Sequence, residues 1–403
     1  MRIAKRPLLL TMSGLAVLSL VVAAAVTLGG GRVQAASGQT LTLTRTGSSS
    51  FSSAAASTDA SVQSDEILDF GDADGGDGAD NGGDTGPNRT IVGAKTGKGT
   101  PINSSKKAKS NPELGTHFDG LNFNQQRFAN GGNQFSVEPP DQALCVGNGF
   151  VLESVNDVLR VFDTAGNPKT GVVDLNTFYH YAPAIDRAHG NVRGPSITDP
   201  ICLYDRVMNR FVHVVLTLEV VPSGPFGGQQ TGPNHFDIAV SDTSDPTGSW
   251  TIYKLPAQND GTDGTPNHNC PGRTVPRPWA TNPHACLGDY PHIGADRNGI
   301  YITANEFPVF VNGFHGANIY AISKAALTSG GSSLPVTLFD TSDPAIGNPD
   351  GAGFTVWPAQ SPGTQYADDN GGTEYFLSSR AVFTDDGTSN SILLWSLTNT
   401  SSL

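Results

Sequence analysis

The side chains best suited to chemistry in this sequence are carboxylates near the ends of short apolar runs. Two carboxylates about 5 to 10 Å apart would suit glycoside hydrolysis, with one acting as acid and the other as nucleophile or base. For an Asp beside a proline at a strand start, the alternative is structural, since such a side chain caps a turn by accepting backbone N–H groups. The candidate catalytic residues are Glu153, Asp199, Asp289, Glu306 and Glu374.

Glu306 is the strongest of these candidates. It follows an apolar run in Asn-Glu-Phe and should therefore project from the end of a strand. Asp141, Asp199 and Asp289 stand in equivalent positions, each close to a proline at the start of a run. Such positions are gathered around one axis when similar sheets are arranged radially.

Cysteines and histidines form a second group of reactive residues. An even cysteine count in an exported chain predicts two disulfides, and we favour the pairs Cys145–Cys202 and Cys270–Cys286. Two His-x-Cys units, His268 to Cys270 and His284 to Cys286, lie near His292 and leave zinc as the alternative, since imidazole and thiolate are its ligands. Their spacing matches no common zinc module, so we predict no metal here and no cofactor.

The elements that must position these residues are short strands joined by tight turns. The stretch DYPHIGADRNGIYITANEF, residues 289–307, contains two apolar runs separated by Asp-Arg-Asn-Gly. Asp, Asn and Gly accept the backbone geometry of a turn, so the pattern predicts a β-hairpin.

The same pattern recurs in four groups. Each group begins near a proline, continues through a short strand and a polar turn, and then adds further strands; the predicted groups are residues 138–176, 198–255, 288–340 and 353–403. Repeated antiparallel units of this kind predict an all-β chain folded as a β-propeller of four-stranded antiparallel blades, with a β-sandwich as the rival. About four blades are visible, and since the fourth lacks an evident outer strand, we expect the propeller to be incomplete at its C-terminal end.

The N-terminal part differs in composition. Residues 1–35 combine Arg2, Lys5 and Arg6 with a long apolar run, which predicts an export signal, or an anchor if it is not cleaved. Residues 36–115 are rich in Ser, Gly and Asp and predict a disordered linker. Closely spaced aspartates there could hold Ca²⁺, but they do not follow the EF-hand pattern, and a solvated acidic spacer is the alternative that we prefer. The spaced aspartates are Asp69, Asp72, Asp74, Asp77, Asp80 and Asp84.

Charge and motifs exclude several functions. The formal net charge of -13 argues against a nucleic-acid partner, because phosphate binding needs a basic surface. The sequence lacks Gly-x-Ser-x-Gly and His-Glu-x-x-His, so serine hydrolase and zincin chemistry are unsupported. No stretch after the N-terminal run is apolar enough to cross a membrane.

Several segments resemble a known family. PPDQALCVG, TDPICLYDRVMNRF, DIAVSDTSDPTGSW and DYPHIGADRNGIYITANEF are similar to segments of exported bacterial β-propeller proteins of uncharacterised function, loosely grouped with sialidase-like folds. The resemblance covers residues 138–403 and implies a propeller that continues past Leu403. It implies no catalytic residue. The segment from Thr243 to Trp250 is similar to the structural Asp-box turn of sialidases, but its glycine comes one place late, and the Phe-Arg-Ile-Pro element is absent.

Together these patterns predict a secreted or cell-surface monomer with no membrane span in the mature chain. The expected function is recognition of an extracellular glycan or protein through one face of the propeller. Two inserted loops, Pro222–Asn234 and Ala257–His284, would shape that face. The alternative is a sialidase-like glycoside hydrolase that uses two of the candidate carboxylates.

Overall fold

The computed structural model describes residues 38–52, 114–137, 140–274, 277–346, 352–380, 389 and 391–403. In these residues the chain is all-β and its sheets are antiparallel, as the sequence predicts. The predicted export signal and the aspartates of the possible Ca²⁺ site lie outside the described residues.

The strands are grouped along the chain. The first is β1 (Gln39–Ser50), and the next sheet has β2 (Gln142–Gly147), β3 (Phe150–Val155), β4 (Val158–Asp163) and β5 (Val173–Asp174). A small hairpin follows, with β6 (Ile185–Asp186) and β7 (Val192–Arg193). Two meanders come next: β8 (Ser196–Asp205), β9 (Arg210–Val220), β10 (Gln230–Ser241) and β11 (Ser249–Pro256), then β12 (Cys286–Ala295), β13 (Gly299–Pro308), β14 (Gly316–Ser323) and β15 (Ser333–Asp340). The last sheet has β16 (Trp357–Pro358), β17 (Thr373–Ser379) and β18 (Ile392–Thr398).

Helices in the described residues are short. They are α1 (Phe123–Arg127), α2 (Ala129–Gly132), α3 (Leu175–Phe178) and α4 (Lys324–Ser329). Across this part of the chain, none has the length and apolar character that crossing a bilayer requires.

The two central meanders belong to one nearly closed, barrel-like sheet. Its nine strands follow the order β12-β13-β14-β15-β1-β11-β10-β9-β8, and the two end strands, β8 and β12, lie against each other. The Tyr290 N–H of β12 donates to Asp199 Oδ2 of β8 across this junction. The sheet therefore curves back on itself, which leaves little exposed strand edge.

The prediction of a disordered linker over residues 36–115 is wrong for its first part, because Gln39–Ser50 form strand β1. It pairs antiparallel with β15 on one side and with β11 on the other, and joins the two meanders. Leu41 and Leu43 are buried in the core while the residues between and beside them are exposed. The Ser/Thr-rich composition does not indicate this strand. Its two buried leucines and its backbone hydrogen bonds stabilise a strand only when a partner strand is available on each side.

Apolar core clusters lie between the groups of strands. One core cluster lies between the β8–β11 and β12–β15 meanders, and it includes Val214, Ile238, Ile302 and Tyr320. A second cluster packs β2–β5 against the other face of β8–β11, and a third packs β16–β18 against β13 and β14. Because both faces of the central strands are buried, they read as continuous apolar runs rather than as alternating patterns.

The first strands of four strand groups, β2–β5, β8–β11, β12–β15 and β16–β18, are neighbours. β2 contacts β8, β8 contacts β12, and β12 contacts β16. The disulfide Cys145–Cys202 joins β2 to β8, and Cys270–Cys286 closes the loop before β12, so both expected pairings are confirmed. The beginning of each meander is thereby held next to the beginning of the following one.

Candidate functional site

Strand geometry brings Glu306 to a cluster of polar side chains. Glu306 is near the end of β13, His315 directly precedes β14, and Asp340 ends β15. Because adjacent strands run in opposite directions, these three positions meet at one edge of the sheet. The loop between β11 and β12 adds His268, which the Cys270–Cys286 disulfide holds nearby.

Glu306 is fully buried and accepts three hydrogen bonds. Its Oε1 accepts from Asn259 Nδ2 at 2.6 Å and from Asn318 Nδ2 at 3.0 Å, and its Oε2 accepts from His268 Nδ1 at 2.8 Å. A carboxylate that is surrounded by donors in this way compensates for its loss of water. Glu306 therefore works here as a buried acceptor and not as the exposed strand-end group that the sequence suggests.

The bond to Glu306 sets the orientation of His268. Since the Glu306 carboxylate accepts at Nδ1, the proton of the neutral ring is on Nδ1 and the lone pair is on Nε2. That Nε2 is buried, and within the described part of the chain it has no hydrogen-bond partner. Asp340 Oδ2 lies 3.8 Å from it.

His315 and Asp340 complete the cluster. His315 Nε2 lies 3.3 Å from Asp340 Oδ2 and 3.6 Å from Glu306 Oε2, and the two imidazole rings stack with their centres 5.0 Å apart. The hydrogen bond to Asp340 raises the pKa of His315, with Glu306 adding to the effect. Burial alone would raise the pKa of Asp340, but the hydrogen bonds from His315 and Ser342 outweigh it and lower that pKa.

A cavity of about 290 Å³ opens onto this cluster. We name it the His268 cavity; it is lined by His268, His315, Asp340, Ser342, Asn267 and Gln39, among others. His268, His315 and Asp340 present ligand atoms that all lie within 4.8 Å of one another, so these three residues could hold a metal ion. The cysteines near Glu306 are joined in the disulfide and are not available as thiolates.

The zinc alternative built on the two His-x-Cys units is therefore wrong. Cys270 and Cys286 are bonded to each other, and His284 Nδ1 interacts with the Cys270 carbonyl oxygen. His292 belongs to a different part of the molecule, where it contacts Tyr290 and Trp357. Of the three histidines named from the sequence, His268, His284 and His292, only His268 lines the cavity.

A second constellation lies where the first strands meet. Two of these strands, β8 and β12, have an irregular register beside an X-Pro pair, and the residue before each proline, Asp199 and Tyr290, has a positive φ of 52° and 55°. Thr355, two residues before Trp357, also has a positive φ of 48°. Non-glycine residues in this region are strained, and such strain concentrates at functional sites.

Two asparagines brace these irregular starts in the same way. Asn156 Nδ2 donates to Thr198 Oγ1 at 3.1 Å, and Asn305 Nδ2 donates to Thr355 Oγ1 at 3.0 Å. Asn156 directly follows β3 and contacts β8, whereas Asn305 lies within β13 and contacts the segment before β16. Each side chain therefore joins one group of strands to the start of a later group.

Three aromatic rings pack together at this place and form what we name the first-strand patch: Tyr290, His292 and Trp357. His292 stacks on Trp357 with ring centres 3.9 Å apart, and Tyr290 meets His292 edge to face at 4.5 Å. His292 is buried, and burial lowers its pKa to about 4, so the ring is neutral at neutral pH. Tyr290 and Trp357 remain 42% and 45% exposed.

Carboxylates border the patch. Burial and the charges of Asp141 and Asp199 raise the pKa of Tyr290, which places both groups within electrostatic reach of its hydroxyl. Asp289 precedes Tyr290 on β12, is buried, and lies opposite Asn305 in the strand register. The predicted equivalence of these three aspartates thus corresponds to a shared location along neighbouring first strands.

The other candidate carboxylates lie elsewhere. Glu153 faces Arg160 on the neighbouring strand and accepts from the Leu121 N–H at 2.9 Å, and burial raises its pKa. Glu374 is buried on β17, where burial and Asp296 raise its pKa to about 8. Glu153, Glu306 and Glu374 therefore lie in three different surroundings.

Sequence reasoning missed His315 and Asp340, which complete the cluster around Glu306. These two residues lie 25 residues apart on either side of a β14–β15 hairpin, and only their position at the same sheet edge as Glu306 relates them. Tyr290 and Trp357 both precede prolines at group starts, a position that the repeated pattern marks in the sequence. A scan against models of protein families and a search of curated proteins both return no match for this chain.

Proposed function

We propose that this chain is an exported β-propeller protein that binds an extracellular glycan at the first-strand patch. The packing of neighbouring strand groups through apolar cores supports the propeller, because successive blades of a propeller pack on each other face to face. The row of first strands, β2 beside β8, β8 beside β12 and β12 beside β16, fits an axis lined by the innermost strand of each blade. In this arrangement, strand β1 pairs with the outermost strands of two blades, β11 and β15, and joins them.

The observation that carries the proposal is the pair of exposed rings, Tyr290 and Trp357, held on either side of buried His292. Large aromatic side chains combine an apolar face with a polar edge and contribute much of the affinity of binding sites. A sugar ring presents C–H groups on its faces and hydroxyls around its rim. The flat exposed rings of Tyr290 and Trp357 can stack on the faces of a sugar ring.

The polar groups beside the first-strand patch can form hydrogen bonds with the hydroxyls around the rim of a sugar ring. Asp141, which is partly exposed, provides an acceptor for sugar hydroxyls near Tyr290, and the Tyr290 hydroxyl offers both a donor and an acceptor. The negative charge of this border favours a neutral or basic glycan over an acidic one. A sialic acid is therefore a poorer ligand than a neutral hexose or an amino sugar.

The disulfides favour an oxidising compartment, which an exported protein reaches. All four cysteines are paired in the structure, and such bonds persist in oxidising surroundings. The apolar N-terminal segment in the sequence supports the same destination.

A glycan array with the secreted protein tests the proposal. We expect binding to neutral or amino-sugar glycans, and a loss of affinity of about tenfold or more for Tyr290→Ala and for Trp357→Ala. Phe226→Ala is the matched control, since Phe226 is an exposed aromatic that packs on Trp279 outside the patch. Equal binding by all three variants would refute the patch as the binding site.

Chromogenic glycosides in parallel separate recognition from hydrolysis. Turnover that is abolished by Asp141→Asn or Asp199→Asn would replace the binding proposal by a glycoside hydrolase that uses these two carboxylates. Silence in both assays would refute the glycan proposal and direct the search to a protein partner.

A further inference from the structure

We propose that His268, His315 and Asp340 form a binding site for one Zn²⁺ ion at the wall of the His268 cavity. The proposal is independent of the glycan function, because none of these three residues belongs to the first-strand patch. It rests on the distances between the ligand atoms, on the orientation of His268, and on a buried nitrogen without a partner.

The distances between the ligand atoms fit tetrahedral coordination. Ligands bonded to zinc at about 2.0–2.1 Å in a tetrahedron lie about 3.3 Å from each other. His315 Nε2 lies 3.3 Å from Asp340 Oδ2, and His268 Nε2 lies 3.8 Å from the same oxygen. All three ligand atoms lie within 4.8 Å of one another, so rotation of the side chains would place them around one ion.

Glu306 has the position of the partner that orients a zinc-binding histidine. Metal-binding histidines usually donate their second ring N–H to a carboxylate or carbonyl group, which fixes the tautomer and the ring direction. Glu306 Oε2 accepts from His268 Nδ1 at 2.8 Å, and both side chains are buried. Glu306 is a positioning residue in this proposal, and Asn259 and Asn318 hold it in turn.

The unsatisfied nitrogen of His268 is an independent observation in favour of a ligand. The side chain is only 6% exposed, and within the described residues Nε2 has no hydrogen-bond partner. A buried polar atom without a partner costs free energy, which a metal bond would recover. The nitrogen faces Asp340 and the cavity, where an ion can enter.

The composition of the site favours zinc. Two imidazoles and one carboxylate form a mixed N/O set that binds Zn²⁺ well, and the Irving–Williams order gives Zn²⁺ a higher affinity than Mn²⁺ or Fe²⁺. Three protein ligands leave the fourth position open to the cavity of about 290 Å³, an arrangement typical of zinc sites that bind water or a small ligand. Ser342 Oγ, which donates to Asp340 Oδ2 at 2.8 Å, holds the carboxylate in place.

Calorimetric titration of the chelator-treated full chain with Zn²⁺ tests the site. We expect one Zn²⁺ ion per chain, a rise in melting temperature on binding, and no comparable response to Ca²⁺, which prefers oxygen ligands. Co²⁺ in place of Zn²⁺ should give the intense visible bands of a four-coordinate site. Absence of stoichiometric Zn²⁺ binding by the native chain would overturn the proposal.

Variants identify the ligands. His315→Ala and Asp340→Asn should each weaken Zn²⁺ binding by about 100-fold or more, whereas Glu306→Gln should weaken it by about 10- to 100-fold and keep the Co²⁺ bands at saturation. His284→Ala is the matched control, because His284 is on the same loop as His268 and interacts with the Cys270 carbonyl oxygen instead. Since His315 is a quarter exposed in a loop, its replacement should leave the fold intact. Unchanged zinc affinity in both ligand variants would refute the assignment.

Discussion

Two buried carboxylates in this protein, those of Glu306 and Glu374, have different electrostatic surroundings. Glu306 receives three side-chain donors and is held as an acceptor. Glu374 is also buried, but its surroundings include Asp296, and its Oε1 has no hydrogen-bond partner among the described residues. A donor-rich environment favours the charged form, and burial near a like charge favours the neutral form.

Glu374 should make stability depend on pH in an unusual direction. Its pKa is raised from 4.5 to about 8 in the folded chain, so the native state holds this proton more tightly than the unfolded state does. The stabilisation is complete below about pH 4.5 and is lost as the pH rises through about 8. We expect the melting temperature to fall over this interval, and to fall less in Glu374→Gln, whose amide stays neutral.

Glu219→Gln controls for a general effect of removing a carboxylate. Its side chain is 36% exposed and lies 4.0 Å from Lys254. The control should keep the pH dependence of the native chain. Parallel pH profiles for the native protein and Glu374→Gln would contradict the assignment.

At the scale of elements, turns were more predictable than strand partners. Asp296 Oδ1 accepts from the backbone N–H groups of Asn298 and Gly299, which makes the turn between β12 and β13 that the Asp-Arg-Asn-Gly sequence predicts. The turn before β11 is similarly local, with Asp245 Oδ1 accepting from Thr247 N and Trp250 Nε1 donating to the Pro246 carbonyl. Such turns need only residues that are close in sequence.

Strand β1 should contribute strongly to stability although its composition resembles a linker. Leu43 is fully buried between β11 and β15, so Leu43→Ala should lower the free energy of unfolding by about 2–5 kcal/mol, as measured by denaturant titration. Thr42→Ala changes the neighbouring exposed position and should alter it by about 0.5 kcal/mol or less. Equal effects of the two substitutions would show that β1 does not pack in the core.

At the scale of the whole molecule, the sheets are joined by few covalent links and by broad apolar contacts. The Cys145–Cys202 disulfide connects the β2–β5 sheet to the central sheet across 57 residues, and Cys270–Cys286 closes a loop of 16 residues. The former therefore restricts the unfolded chain over a longer segment.

Removal of the longer disulfide should destabilise the molecule more. The chain-entropy relation predicts a loss of about 4 kcal/mol for Cys145→Ser with Cys202→Ser, and about 3 kcal/mol for the corresponding change at Cys270 and Cys286. Guanidinium unfolding of both double variants beside the oxidised protein measures the difference. Unfolding at the same denaturant concentration as the native chain would contradict this role.

The sequence alone determined the local features of this protein. Alternating and continuous apolar runs predicted antiparallel strands, turn residues predicted the hairpins, and an even cysteine count with the repeated groups predicted both disulfide pairs. Glu306 was the strongest catalytic candidate, from its place at the end of an apolar run, and its catalytic role stays a prediction. These features depend on neighbouring residues or on a repeated pattern, which a sequence displays directly.

The tertiary structure decided everything that depends on distant partners. It joined β1 to β11 and β15, which no composition or period could reveal, because strand pairing depends on which edges remain free after the meanders form. It placed His315 and Asp340 beside Glu306 and His268, and it brought Tyr290 and Trp357 together across His292. Residues far apart in the chain acquire a shared chemistry only when strand pairing and the packing of strand groups bring them together, and the burial of both faces of the central strands drives that packing.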